Sequence, residues 1–206
     1  MKQHALSALG RRRLLAAAGA VLVAGWQWGS VAHAASARAA EPLHPAVKYM
    51  QATAADLLNA QHKGTRQAFA DVLRRRADVH AIAMYSLGRY SGRLGKQQKS
   101  QYVRGVHQFM ARYFADQARK YRVKKAVIEE KPRQQGQDWL VRSRVWLTDG
   151  SSYTPTWKLR KTRFGWRVVD VKVMGFSLSF LQRGLFYKFL QRTKGNVHAL
   201  VMALNR

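Results

Sequence analysis

The pattern closest to a catalytic motif is Gly-Phe-Ser-Leu-Ser, from Gly175 to Ser179. It approximates the Gly-x-Ser-x-Gly elbow, in which a sharp strand-to-helix turn exposes a nucleophilic serine. Ser179 replaces the final glycine, however, and the upstream strands do not have the spacing of a parallel α/β sheet. Asp170 and His198 could complete a triad, but their order and spacing match no specific one. The pattern therefore favours Ser177 as the N-cap of a helix over Ser177 as a nucleophile.

The acidic and histidine side chains do not form a metal-binding pattern. The chain has no cysteine, and Glu129 and Glu130 are adjacent on a predicted strand, so that they point to opposite faces. The histidines beyond residue 34 show no pair at a spacing of three or four residues: they are His44, His62, His80, His107 and His198. We therefore expect no metal site and no cofactor.

One predicted strand combines basic and aromatic residues as a nucleic-acid platform does. Its outer face would carry Arg142, Arg144 and Trp146, whereas Val141 and Val145 lie on the opposite face. A solvent-exposed face with one aromatic side chain explains the same pattern. Since the chain also has features of an exported protein, described below, we expect no nucleic acid as its partner.

A further group of residues is apolar and suits the wall of a cavity. On the last predicted strand, Val169 and Val171 share one face and Asp170 lies on the other. Such stripes usually belong to a packed core, but the number of large aromatic residues favours an apolar cavity. The predicted cavity residues are Tyr85, Tyr102, Val106, Phe109, Tyr113, Val141, Val145, Trp157, Leu159, Val169, Val171, Phe176, Leu178 and Phe186.

The elements that must position these residues follow from the hydrophobic period. A period of about 3.6 predicts helices over residues 45–62, 65–76, 78–88, 97–121, 177–192 and 197–204. A period of two with short turns predicts strands over residues 124–131, 138–148, 151–161 and 165–174. The order indicates an α+β fold: a curved, four-stranded antiparallel meander with several helices packed on one face around an apolar cavity.

The first residues have the pattern of an export signal. A basic start with Arg11, Arg12 and Arg13 leads into a short apolar run and a small-x-small site, which predicts a signal peptide over 1–34. The run of arginines resembles a twin-arginine export signal. We expect a flexible segment over 35–44 and a single domain over 45–206. The net charge is +27, and 33 basic against ten acidic residues after Ala34 leave +23. Such a charge attracts anionic lipid surfaces or acidic partners.

Two segments resemble a known family over most of residues 45–204. The run from Ile82 to Phe114 and the closing run from Gly165 to Phe186 are similar to the MlaC-type periplasmic phospholipid carriers, which include toluene-tolerance auxiliary components and hopanoid-associated relatives. The residues that carry the resemblance are Gly165, Trp166, Val169, Asp170, Val171, Gly175, Ser177, Leu178, Arg183 and Phe186. The departures are Gln182 in place of tyrosine, Leu185 in place of glutamine, and Ser91 near an expected tryptophan.

The resemblance implies a non-enzymatic, periplasmic lipid-transfer protein. Its cargo would be a phospholipid held by its acyl chains, and its partners an outer-membrane lipoprotein complex, an inner-membrane ABC transporter complex and, transiently, the anionic membrane surface. Arg142, Arg144 and Arg183 would face the headgroup or membrane. Two alternatives remain open at this point: an exported enzyme on a cone-shaped fold of the ketosteroid-isomerase kind, with Asp170 as its base, and a basic nucleic-acid-binding module.

Overall fold

The computed structural model describes residues 42–206. The predicted signal peptide, and all but the last three residues of the predicted flexible segment, lie outside these residues. Within the described part, six α-helices and one seven-stranded antiparallel sheet confirm the predicted α+β class. None of the described helices is long and apolar enough to cross a membrane.

Five of the six described helices begin at a polar side chain that accepts a backbone N–H of the first turn. Side chains of Thr65, Asp78 and Asn196 each accept the backbone N–H three residues further on, at distances of 3.2, 2.9 and 3.0 Å. A short 3-10 helix, Gly88–Arg93, connects the third helix to the fourth. The helices are α1 (Pro45–Lys63), α2 (Arg66–Arg76), α3 (Val79–Leu87), α4 (Lys96–Lys120), α5 (Leu178–Arg192) and α6 (Val197–Leu204).

The sheet contains the four predicted strands and three shorter ones. Its strands are β1 (Val123–Ile128), β2 (Arg133–Gln135), β3 (Asp138–Leu147), β4 (Ser152–Tyr153), β5 (Thr156–Thr162), β6 (Gly165–Val173) and β7 (Phe176–Ser177). The order is β1-β3-β5-β6-β7, and β2 and β4 both pair with β3. The meander is therefore as predicted, but the count of four strands is wrong.

Two of the three short strands, β4 and β7, are set off from a longer strand by a proline and by a tight turn. The predicted strand over 151–161 divides into β4 and β5 because Pro155 has no N–H for the ladder, and the carbonyl of Pro155 instead accepts from the N–H of Ser143 at 3.0 Å. Strand β7 follows β6 after a two-residue turn at Met174 and Gly175, whose φ angles of 51° and 85° are those of a tight hairpin.

The alternation predicted for β3 is confirmed. Val141 and Val145 are buried, and Arg142 and Arg144 between them are exposed. The buried face packs against α1, where Val47 and its neighbours join Val141 in one apolar cluster.

Two further apolar clusters lie among the helices. The larger one joins α3, α4, α5 and α6 around Tyr102, Phe186 and Leu190. A small one joins α1, α2 and α4 around Phe69 and Ala115. Residues from all three clusters line one pocket, described next.

Candidate functional site

Helix α4 forms one wall of the pocket. Its 25 residues place Phe109, Met110, Tyr113 and Phe114 along the pocket, at spacings of one, three and four residues. These spacings cover a broad arc of the helix surface, so that one part of the arc joins the helical core while another borders the pocket. Tyr113 lines the pocket and stays 41% exposed.

Helix α5 forms the opposite wall, and its start is fixed by two caps. The hydroxyl of Ser177 accepts the N–H of Phe180 at 3.1 Å, which confirms Ser177 as the N-cap. The carboxylate of Asp170 accepts the N–H of Ser179 at 3.1 Å, where the helix dipole favours a negative charge. Leu178 and Leu181 on this helix line the pocket.

The sheet contributes Trp157, Val168 and Val171 to the pocket. The indole N–H of Trp157 donates to the hydroxyl of Ser143 at 3.0 Å, so that the polar atom of this ring is paired inside the protein. Its remaining surface in the pocket is apolar.

A β-bulge in β6 changes the predicted register of this strand. Lys158 pairs with Asp170 but its neighbour Leu159 pairs with Val168, so Val169 is the extra residue. The uninterrupted alternation predicted through Val169 is therefore wrong. Val168 is buried instead, and Asp170, predicted to face away from the cavity, is one of the residues that line the pocket.

Helices α1 and α2 close the remaining side with Leu57, Val72 and Leu73. Arg76, at the end of α2, also borders the pocket, and its guanidinium is paired with Asp56 at 2.9 Å. Partial burial acts to raise the pKa of Asp56, but the hydrogen bonds and positive charges of Arg76 and Arg75 together outweigh it and hold this pKa below its usual range. Arg75 is also 3.4 Å from Asp56, so one carboxylate is shared by two guanidinium groups.

The polar atoms of the pocket wall are mostly engaged with other protein atoms. Gln182 donates to the hydroxyl of Ser86 at 2.8 Å, and both side chains are buried. Thr53 donates to the carbonyl of Tyr49 at 2.8 Å. Lys188 differs, because it is exposed at the pocket and has no ion pair among residues 42–206. The pocket is thus an apolar space with one accessible ammonium group.

The pocket has a volume of about 460 Å³ and is open to solvent on the side of Phe180, Leu181 and Leu185, which are 62%, 46% and 57% exposed. At about 30 Å³ for a group the size of a water molecule or a methylene, this is room for roughly fifteen such groups. A single acyl chain of ordinary length has about that size.

The predicted cavity residues fall into two groups in the structure. Five of them line the pocket: Phe109, Tyr113, Trp157, Val171 and Leu178. The others lie elsewhere. Tyr102, Val106 and Phe186 pack in the helical cluster, Val141 and Leu159 pack under α1, Val145 is buried in β3, Val169 is half-buried, and Tyr85 and Phe176 are exposed.

The three predicted rim arginines do not line the pocket. Arg142 and Arg144 lie on the outer face of β3, where Arg142 is 3.7 Å from Glu129. Arg183 borders a separate polar pocket of about 240 Å³, together with Arg89 and other residues of the α3–α5 side.

Several lining residues were not singled out from the sequence. Leu181 and Leu185 follow Leu178 at helical spacing, and Met110 and Phe114 flank the stripe of α4. The helical period contains this signal, because residues three and four apart share a face. Lys188 continues the α5 series, but a single lysine in so basic a chain gives no signal of its own.

Residues 42–206 contain no group of three or more histidine, aspartate or glutamate side chains placed to hold a metal ion. The acid in the pocket wall, Asp170, is engaged with the first turn of α5.

The fold and the pocket define a small α+β protein with an open apolar pocket between a helical layer and a sheet. A model of the MlaC protein family matches residues 46–206, and the chain belongs to this family. The predicted recognition is thereby confirmed. The chain has no match among the curated proteins searched.

Six solved chains match the protein. One is described as a phospholipid-binding protein from Ralstonia solanacearum in complex with a phospholipid. It is 22% identical, with a TM-score of 0.65, and the match covers 78% of this chain and 94% of that one. At this identity the likeness establishes a shared fold.

Proposed function

We propose that this protein binds a phospholipid and carries it between membranes, with an acyl chain in the pocket between α4, α5 and β6. The observation that supports this most directly is the pocket itself, whose walls are predominantly apolar on all three elements. Membership of the MlaC family and the likeness to a phospholipid-bound structure point the same way.

The free energy of transfer explains why a carrier needs such a pocket. Moving a methylene from an apolar environment into water costs about 0.8 kcal/mol, so fifteen methylenes cost roughly 12 kcal/mol. A pocket that encloses the chain removes most of this barrier. The volume suits one chain, so the second chain of a phospholipid would lie along the exposed leucines at the open side or widen the pocket.

The headgroup would remain outside the apolar walls, because burying an unpaired phosphate costs far more than the protein could recover. Lys188 is an exposed cation that borders the pocket and has no ion pair among residues 42–206, and we propose that it faces the phosphate. Arg142, Arg144 and Arg183 stay a prediction for contacts with a membrane surface, since they lie away from the pocket.

We propose a non-enzymatic role. The placement of Asp170 in the pocket wall favours the enzyme alternative more than the predicted register did. A catalytic base must, however, have its lone pairs free for a substrate proton, and one oxygen of Asp170 accepts from Ser179. The cap on α5 accounts for this carboxylate without any reaction.

The proposed location is the periplasm, and the proposed partners are an outer-membrane lipoprotein complex and an inner-membrane ABC transporter complex. The signal-like pattern over residues 1–34 and the family support the location. The basic charge supports contact with acidic partners or anionic lipid.

The test is mass spectrometry of an organic extract from the purified protein. We expect a phospholipid in near-equimolar amount, and we expect delipidated protein to take up phospholipid again from vesicles. If neither the extract nor the reloaded protein contains phospholipid, the proposed function is wrong.

A further inference from the structure

An exposed apolar surface adjoins the open side of the pocket. Met174 and Phe176 are 80% and 65% exposed, and both lie at the hairpin between β6 and β7. Phe180, in the first turn of α5, is 62% exposed. We call these three residues the apolar tip. Large apolar side chains exposed together in this way usually mark an interaction surface.

The backbone of the hairpin makes the exposure of Met174 unusual. Its φ of 51° lies in the left-handed region, which favours glycine or asparagine over a long apolar residue. The turn nevertheless carries methionine, with its side chain outside the protein core. Folding alone does not explain an apolar side chain at this position.

The apolar tip is continuous with the pocket. Phe180 lines the pocket and is exposed, as are Leu181 and Leu185 on the same helix. A surface that covered the tip would therefore also lie against the open side of the pocket.

The charges around the tip are positive. Lys172 on β6 and Arg183 and Lys188 on α5 are exposed. The last acidic residue in the chain is Asp170, and the 36 residues after it contain no aspartate or glutamate. Asp170 is itself engaged with the backbone of α5. An anionic surface would thus meet cations and little opposing charge.

We propose that the apolar tip docks on an anionic phospholipid bilayer, with Met174, Phe176 and Phe180 inserted among the headgroups. A protruding turn with apolar side chains and flanking cations suits an interfacial contact, since apolar burial and attraction to anionic lipid act together there. The proposal deepens the proposed function, because it names the surface at which the pocket is filled. Its test nevertheless does not depend on lipid being carried.

The experiment is a flotation assay with the purified full chain and two kinds of vesicle, phosphatidylcholine alone and phosphatidylcholine mixed with phosphatidylglycerol. The test variant is Met174→Asn with Phe176→Ser, which removes two side chains that do not line the pocket and places asparagine where the turn favours it. The matched control is Phe164→Ser. Phe164 is 69% exposed at the other end of β6, about 30 Å away for a nine-residue strand.

We expect binding to the mixed vesicles that weakens as salt is raised, and little binding to phosphatidylcholine alone. The double variant should bind the mixed vesicles at least about tenfold more weakly, and Phe164→Ser within about twofold of the unaltered protein. Equal binding by the double variant, or an equal loss in Phe164→Ser, would overturn the proposal. So would the absence of vesicle binding by the unaltered protein, in which case the tip would fit a protein partner.

The lipid extract separates this proposal from the proposed function. If extracts lack phospholipid but vesicle binding still depends on the tip, docking stands and carriage fails. If extracts contain phospholipid and vesicle binding does not depend on the tip, carriage stands and docking fails.

Discussion

Replacing Gly184 with phenylalanine tests whether the pocket holds an acyl chain. Gly184 lies in α5 on the wall of the pocket, and a Cβ added there would have no protein atom within 4 Å. A side chain can therefore start at this position without a collision at its Cβ. The helix should tolerate it well, because glycine is among the poorest residues in a helix interior.

The expected effect on lipid binding follows from the volume. A benzyl group has seven carbons, up to about half of the roughly fifteen methylene-sized groups for which the pocket has room. If the ring displaces only three methylenes of the lipid, binding loses about 2.4 kcal/mol. This corresponds to an affinity about fiftyfold weaker.

The assay is phospholipid uptake from labelled vesicles by delipidated protein, with thermal unfolding measured in parallel. Gly184→Ala is the first control: it should keep lipid uptake and raise the unfolding temperature by about 2–4 °C, from about 1 kcal/mol of helix propensity. Gly92→Phe is the second, since Gly92 also has open space around it but does not line the pocket. If Gly184→Phe is folded and takes up lipid as well as Gly92→Phe does, the pocket is not the lipid site.

Three further predictions concern the stability of the fold. Gly88→Ala should destabilise the protein by about 2 kcal/mol in urea unfolding, because φ of 57° with ψ of −129° suits only glycine; an unchanged midpoint would show that the backbone relaxes. Burial raises the pKa of Tyr102, so this phenol stays protonated when an unfolded tyrosine ionises near pH 10. The contribution of this phenol to the free energy of unfolding is therefore complete below about pH 10 and is lost as the pH rises above it. Tyr102→Phe should flatten this decline of the free energy of unfolding with pH, and an equally steep decline in the variant would contradict the prediction. Asp138→Asn should cost about 1–3 kcal/mol, since Asp138 is buried and accepts two hydrogen bonds from Arg160 at 2.6 and 2.9 Å; urea unfolding of Arg160→Lys, which keeps one charge-assisted bond, should show a smaller loss.

Much of the architecture was predictable, because local signals agree with the fold. The six helices carry the expected period, five of them begin at a residue whose side chain accepts a backbone N–H, and Ser177 acts as the N-cap that its position indicated. The antiparallel meander followed from short turns between alternating segments. The strand count was not predictable in the same way, because β2, β4 and β7 have only two or three residues each, too few for a period.

The pocket was predictable only in part, because periodicity shows which face of an element turns inward but not what meets it. Tyr102, Val106 and Phe109 share one face of α4, yet the first two pack against other helices and only Phe109 reaches the pocket. The bulge at Val169 is a second reason why the pocket could not be fully predicted from the sequence. The bulge has no signature in the amino-acid composition of β6, yet it changes which residues of the strand lie beside the pocket.

The most direct test of the central claim is photo-crosslinking with a phospholipid that carries a photoreactive group along its acyl chain. The loaded protein is irradiated and digested, and the modified residues are identified by mass spectrometry. We predict modification on the pocket walls, at Phe109, Tyr113, Leu178, Leu181 or Leu185. Modification confined to the outer face of β3, around Arg142 and Trp146, or none at all in the lipid-loaded protein, would contradict the account.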